Sequence, residues 1–214
     1  MKFKNIFFDF NGTIINDVDL CISLLNEMLL NKNHPIIERD EYFNIFTFPI
    51  IEYYKKAGFT FENYSFEELA NYFIKKYQPS SFHCELYPGL IDLFDYLNEN
   101  KVNLYILSAS QKNNLIEQIN HFKISKYFKD VLGIENIYAK SKLDIAKDYF
   151  DENQLNPKET LFIGDTVHDY EIAKELNANC YLMTLGHQSK NVLSKTGCKL
   201  FDSYFELKEY LWLN

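Results

Sequence analysis

Four short stretches of this chain carry side chains able to do chemistry. They are Asp9-Phe10-Asn11-Gly12-Thr13, Leu107-Ser108-Ala109-Ser110, Lys140-Ser141-Lys142 and Gly164-Asp165-Thr166-Val167-His168-Asp169. Each follows an apolar run or opens a helical pattern. Taken singly, each has a plain structural explanation: an Asp or Ser after a strand caps a turn or helix, and a Lys near a helix start is solvated. Taken together, they supply a carboxylate, a hydroxyl, an ammonium and an acidic pair in chain order. Carboxylates crowded at one rim repel unless a cation neutralises them, and a hard divalent ion such as Mg²⁺ takes oxygen ligands. Ser108 and Lys142 then offer a hydrogen-bond donor and a point charge suited to phosphate.

The elements that must position these residues alternate. Lys4–Phe8, Val102–Leu107, Thr160–Ile163, Cys180–Thr184, Lys199–Phe201 and Asp130–Gly133 read as short buried strands. Helical spacing lies between them. Leu90, Leu93, Phe94 and Leu97 share a face after Pro88, which suits a first helical position. Leu115, Ile119 and Phe122 follow Ser110, a candidate cap, and Ser141–Asp144 forms a capping-box pattern. Ile172, Ala173 and Leu176 make a further face. The alternation predicts an α/β fold, a Rossmann-like parallel sheet flanked by helices, with ligands at the carboxyl ends of the strands.

One segment breaks the alternation. From Asn16 to Phe82 the spacing is helical throughout: Cys21, Leu24, Leu25 and Met28, then Phe43 and Phe46, Ile50 and Tyr54, and a helix opened by Ser65 with Leu69, Phe73 and Tyr77 behind it. The expected organisation is a core formed by residues 1–15 and 83–214, with an all-helical insert at 16–82.

Composition excludes several classes. The chain has 214 residues, 47% hydrophobic and 17% aromatic, enough to fill a core. Its formal net charge of -8, with no long basic run, disfavours a nucleic-acid partner. The aromatic residues therefore read as packing rather than a base-stacking platform. No run approaches the roughly 18 apolar residues of a membrane span. The N-terminal apolar run stops at Asp9, too early for a signal peptide, so the expected location is cytoplasmic. Cys21, Cys84, Cys180 and Cys198 are scattered and read as buried free thiols rather than a disulfide or zinc set. His34, His83, His121 and His187 have no metal-ligand spacing, and His168 reads as a helix-start residue pointing aside.

In order and type, the four stretches resemble the motifs of the haloacid dehalogenase (HAD) superfamily, in the branch with a helical cap after the first strand. Tyr87-Pro88-Gly89 further resembles phosphoglycolate-phosphatase-like members. The resemblance implies a phosphatase acting on a small phosphorylated metabolite with Mg²⁺ as cofactor, the alternatives being a phosphate- and metal-binding protein with little catalysis or a phosphotransferase. Asp9 would be the nucleophile, forming an aspartyl-phosphate. The metal would be held by Asp9, the backbone carbonyl of Asn11 and Asp165. Thr13, Ser108, Ala109 and Lys142 would form the phosphate site, with Lys140 the reserve for the lysine. Asp169 would orient Lys142 or a metal-bound water. The helical insert would be a lid that excludes water and selects substrate.

One residue departs from the pattern. The first motif usually reads Asp-x-Asp-x-Thr, and its second Asp protonates the leaving alkoxide and later deprotonates water. Here that position is Asn11, which does neither. Asp17, Asp19 and His34 are the nearby alternatives as acid.

Overall fold

The computed structural model describes residues 2–135 and 141–213. The strands are β1 (Asn5–Phe8), β2 (Ile15–Asn16), β3 (Glu85–Leu86), β4 (Asn103–Gln111), β5 (Asp130–Ile134), β6 (Thr160–Gly164), β7 (Asn179–Met183) and β8 (Lys199–Phe201). The helices are α1 (Val18–Asn31), α2 (Arg39–Ile45), α3 (Ile50–Lys56), α4 (Phe66–Ser81), α5 (Leu90–Glu99), α6 (Lys112–His121), α7 (Lys142–Glu152), α8 (Val167–Glu175), α9 (Lys190–Ser194) and α10 (Tyr204–Leu213).

Among the described residues six strands form one parallel sheet in the order β5-β4-β1-β6-β7-β8. Every expected strand is present, offset by a few residues at most. β1 is central and every one of its residues is buried, as its unbroken apolar sequence requires. Alternation sends Ile6 and Phe8 to one face and Phe7 to the other. Ile6 and Phe8 join Leu90, Phe94, Leu115, Ile119, Tyr204 and Leu207 beneath α5, α6 and α10. Phe7 packs with Ala146, Phe150, Ile172 and Ala173 beneath α7 and α8. In register across three strands, Phe7 stacks on Tyr105 at 4.5 Å and on Phe162 at 5.1 Å. These aromatic rings are packing material, as expected. The sheet order reverses at β1, so its carboxyl end opens on a topological switch point.

Helices α1 to α4 follow one another between β2 and β3 and pack round a separate apolar cluster that includes Leu25, Met28, Tyr42, Tyr53, Phe59, Leu69 and Tyr77. Ser65 caps α4, its Oγ accepting from Glu68 N at 3.0 Å. The chain enters and leaves this region through a two-stranded antiparallel ribbon, Ile15 opposite Leu86 and Asn16 opposite Glu85. That ribbon has no sequence signature, being only two residues per strand. Among the described residues no helix is long and apolar enough to cross a membrane.

Two local expectations are corrected. Pro88 does not start α5; Gly89 precedes it as the N-cap at φ 83°, a left-handed conformation that glycine adopts without strain. Ser110 does not cap α6. β4 runs on through it to Gln111, and the Ser110 hydroxyl donates to Asn11 Oδ1 at 2.9 Å.

Candidate active site

Asp9 is the residue after β1, and its N–H donates to Ile163 O at 2.9 Å, which continues the β1–β6 ladder past the strand end. Asp165 sits just beyond β6 in the neighbouring position. The two carboxylates are therefore brought together by strand pairing alone. Gly12 then turns the chain at φ 69°. A Cβ there, or at Gly186, would collide with the Asp165 carboxylate. Both positions let backbone approach Asp165, and its oxygens accept from Thr13 Oγ1 at 2.8 Å and from His187 N at 2.7 Å.

Lys142 and Asp169 arrive on helices whose starts are pinned. A capping box joins Ser141 and Asp144, fixing Lys142 as the first residue of α7. A second joins Thr166 and Asp169 at the start of α8, with Thr166 N and Oγ1 donating to Asp169 Oδ2 at 3.1 and 2.7 Å. Asp169 Oδ1 is left to accept from Lys142 Nζ at 2.6 Å, while the same ammonium donates to Asp9 Oδ1 at 2.8 Å. One lysine thus bridges two carboxylates, and both it and Asp169 are buried.

The electrostatics follow. Burial pushes the Asp9 carboxyl up, Asp169 and Asp165 add to the rise, and Lys142 only partly opposes it. Burial likewise raises Asp165, with Asp169 adding to it. Asp169 goes the other way: burial is outweighed by the Lys142 ammonium and by Thr166, and the carboxyl stays below its ordinary value. Burial works against the Lys142 charge, but Asp169 and Asp9 overcome it and raise the ammonium well above its usual range. Carboxylate oxygens of Asp9, Asp165 and Asp169 all lie within 4.8 Å of one another. Among the described residues three carboxylates meet one ammonium, a surplus of negative charge when all are ionised. An all-oxygen donor set with that surplus fits a hard divalent cation.

Ser108 is buried after the apolar part of β4, its Oγ accepting from Ser110 N at 3.1 Å, and Ala109 beside it is exposed. Thr13 is fully buried, its carbonyl held by the Tyr204 hydroxyl. Lys140 lies outside the described residues.

Asn11 is tied on every side. Its Nδ2 donates to Asp17 Oδ2 at 2.9 Å and to the Tyr77 hydroxyl, and its Oδ1 accepts from Ser110. Asp17 is fully buried, yet burial is outweighed by His187, Tyr77 and Asn11, so its carboxyl titrates below the usual range. Gly12 N donates to Asp17 Oδ1 at 2.9 Å, the Tyr77 hydroxyl to Oδ2 at 2.6 Å, and His187 Nε2 lies 3.2 Å from Oδ1. His187 is raised in turn: burial lowers it, but Asp17 more than compensates.

Sequence reasoning missed His187 and Tyr77, and gave Asp17 only as one alternative acid. His187 does lie near carboxylate and thiol, grouped with Asp17 and Cys21. The available signal was position: His187 follows the end of β7, a fifth strand end on the same rim. Asp19 is instead exposed and paired with Arg39, and His34 Nε2 meets Tyr64 OH at 3.0 Å inside the helical insert. His168 stacks on Phe48 at 4.8 Å, and its Nδ1 is 3.7 Å from Glu171.

The helical insert closes over this rim. His187 Nδ1 meets Tyr42 OH at 2.7 Å and its ring stacks on Phe46 at 4.8 Å. Gln188 Nε2 donates to Phe46 O at 2.8 Å, and Ser189 N to Phe43 O at 3.1 Å. From the other side, Tyr77 reaches Asp17 and Asn11.

Residues 6–183 match the family model described as haloacid dehalogenase-like hydrolase. The chain is 24% identical over 190 residues to a phosphoglycolate phosphatase of Pseudomonas fluorescens, covering 85% of this chain and 70% of that protein. It is 26% identical over 117 residues to phosphoglycolate phosphatase 1 of Pseudomonas aeruginosa, where the match spans 54% of this chain and 43% of that protein. A predicted phosphatase from Clostridium acetobutylicum superposes with a TM-score of 0.81 at 18% identity, covering 99% of both chains, and so shares the fold.

Proposed function

The chain belongs to the haloacid dehalogenase-like hydrolase family, and on that footing we propose that it is a Mg²⁺-dependent phosphatase for a small phosphorylated metabolite, with Asp9 as nucleophile. The observation that carries this reading is the Lys142 bridge between Asp9 and Asp169, with Asp165 beside them, at the carboxyl end of the central strand. Asp9, Asp165 and the backbone of Asn11 would hold the metal. Bound there, a divalent cation supplies charge neutralisation at the transferring phosphoryl group.

The protein's own groups do the rest. Lys142 holds Asp9 Oδ1 in place and offers its charge to a phosphoryl oxygen. Asp169 fixes the lysine, because its second oxygen is locked by Thr166. Ser108 and Ala109 complete the phosphate cradle, while Thr13, its buried hydroxyl donating to Asp165, holds that carboxylate in place instead. Asp9 attacks phosphorus, the ester oxygen leaves, and water then hydrolyses the aspartyl-phosphate. Phosphoryl transfer asks chiefly for positioning and charge, and this cluster supplies both. We assign residues 16–82 as the cap that excludes water from the step.

Asn11 sets the limit. Its amide neither gives a proton to a departing alkoxide nor takes one from water. The Tyr77 hydroxyl is committed to Asp17 Oδ2 at 2.6 Å, and burial and Asp17 raise its phenol well above the usual range, so it does not take over the proton traffic of the missing carboxyl. Relatives named phosphoglycolate phosphatase act on an alkyl ester, and an alkyl leaving group is the kind that needs the proton. We infer that this chain favours acyl or aryl phosphates, whose leaving groups depart unprotonated.

The cation site is tested without relying on turnover. Mg²⁺ at about 100 times its Kd should add about 2.7 kcal/mol of stability, roughly 5–10 °C in Tm for a chain of this size. Asp165→Asn should lose that shift, while Asp202→Asn on the surface should keep it. An equal shift in Asp165→Asn, or turnover of 4-nitrophenyl phosphate that ignores Mg²⁺, would overturn the assignment.

A further inference from the structure

The four cysteines are free thiols, but only Cys21 is buried, and two of the others are neighbours. β7 and β8 run parallel with Tyr181 opposite Lys199. Cys180, within β7, and Cys198, just before β8, each lie one step ahead of that first pair and so approach each other across the two strands. Parallel strands lie about 4.8 Å apart, within the roughly 4.4–6.8 Å Cα separation that a disulfide spans. Equal register also sends both side chains to one face. Tyr181 and Lys199 both meet Tyr210 of α10, with centroids 5.7 Å apart and Nζ 3.4 Å over the ring. The two thiols accordingly point to the other face, where Cys180 packs against the cluster beneath α8.

We propose that Cys180 and Cys198 form a reversible redox pair, which a peroxide oxidises to a disulfide joining β8 to β7.

The pair is asymmetric in the way such chemistry requires. Cys198 is lowered to about 7, chiefly by the Cys180 thiol and also by Thr196. Cys180 is raised by that same contact and by burial. Cys180 packs against the cluster beneath α8, whereas Cys198 lies between exposed Gly197 and Lys199, so Cys198 is the thiol a peroxide reaches and Cys180 the resolving thiol. Cys198 sulfur attacks one peroxide oxygen, the O–O bond breaks, and hydroxide leaves a sulfenic acid on Cys198. Cys180 then gives up its proton and attacks the Cys198 sulfur, forming the S–S bond and expelling water. Two thiols and one hydrogen peroxide give one disulfide and two waters. Cys21 and Cys84 serve as internal controls: burial raises Cys21 well above its ordinary value and Cys84 to about 11. The pair sits at the opposite end of β7 from His187, so the proposal stands apart from the phosphatase reading.

The test is oxidation of the full chain with stoichiometric hydrogen peroxide at neutral pH, followed by non-reducing peptide mapping. The expected product has lost two hydrogen atoms, links Cys180 to Cys198, and returns to thiols with dithiothreitol. Under the same conditions Cys180→Ser should stop at a dimedone-reactive sulfenic acid on Cys198, and Cys198→Ser should leave Cys180 unoxidised. The proposal is overturned if both thiols of the wild-type chain survive and alkylate normally. It is equally overturned if either one links to Cys21 or Cys84, or if Cys198 proceeds to sulfinic acid without a link.

Discussion

Asp9→Asn should reduce Mg²⁺-dependent turnover of an aryl phosphate by roughly 10⁴–10⁶-fold, the scale seen when a covalent nucleophile is removed. The substitution keeps the shape of the side chain and swaps one carboxylate oxygen for a nitrogen that does not attack phosphorus. Lys142 retains Asp169 as a partner, so the ammonium is not orphaned. Loss of activity should not come from unfolding. The Asp9 carboxyl is raised by burial and by its acidic neighbours, so its charge costs stability when no cation is bound. A neutral amide removes that repulsion, and in metal-free buffer the variant should melt no lower than the wild-type protein. Steady-state kinetics beside a melting curve check both halves. Turnover within tenfold of wild type would remove Asp9 from the mechanism.

Asn11→Asp should raise turnover of simple alkyl phosphates by at least tenfold, within the roughly 10²–10⁴-fold range of general acid–base catalysis. The gain on aryl phosphates should be smaller, because only hydrolysis of the aspartyl-phosphate and not leaving-group departure uses the new carboxyl there, so the gap between the two rates narrows. The surroundings of Asn11 explain why the new carboxyl would act as an acid. Asn11 Nδ2 is 2.9 Å from Asp17 Oδ2, and Asp17 is a buried carboxylate held ionised by His187. Two carboxyl groups at that distance do not both ionise, so the newcomer keeps its proton at neutral pH. The cost is one of the two amide N–H donors, since a protonated carboxyl has a single O–H to place against Asp17 and Tyr77, about 1–3 kcal/mol. Rates on alkyl and aryl esters, measured on the variant beside wild type, give the comparison. An unchanged alkyl rate in a folded variant would show that proton supply at position 11 is not what limits this enzyme.

The sheet was legible because buried parallel strands write themselves as short apolar runs. Lys199–Phe201, only three residues, was still found. The helical insert was legible from spacing such as Cys21, Leu24, Leu25 and Met28, all of which are buried. Three of the four chemical stretches were visible because each sits at a strand end or helix start, where local sequence fixes geometry, and the Ser108 stretch because the apolar run of β4 stops at Leu107 although the strand continues. What was hidden depends on distant segments meeting. His187 follows a strand as an ordinary loop residue, and only the close approach of Gly186 to Asp165 brings it against Asp17. Tyr77 looks like one more apolar position on α4 until the ribbon of β2 and β3 turns that helix over Asn11. Ser110 looked like a cap because Ser is a common one, but β4 ran on and its hydroxyl was drawn to Asn11 instead. The nearness of Cys180 to Cys198 likewise follows from β7 and β8 being neighbours, which no local pattern encodes.

Covalent trapping addresses the role of Asp9 most directly. The wild-type protein, mixed with an acyl phosphate and Mg²⁺ and quenched in acid, is reduced with borohydride and mapped by mass spectrometry. An aspartyl-phosphate is reduced to homoserine, so homoserine should replace Asp9 and no other residue. Turnover accompanied by an intact Asp9, or by label on a different side chain, would contradict the account.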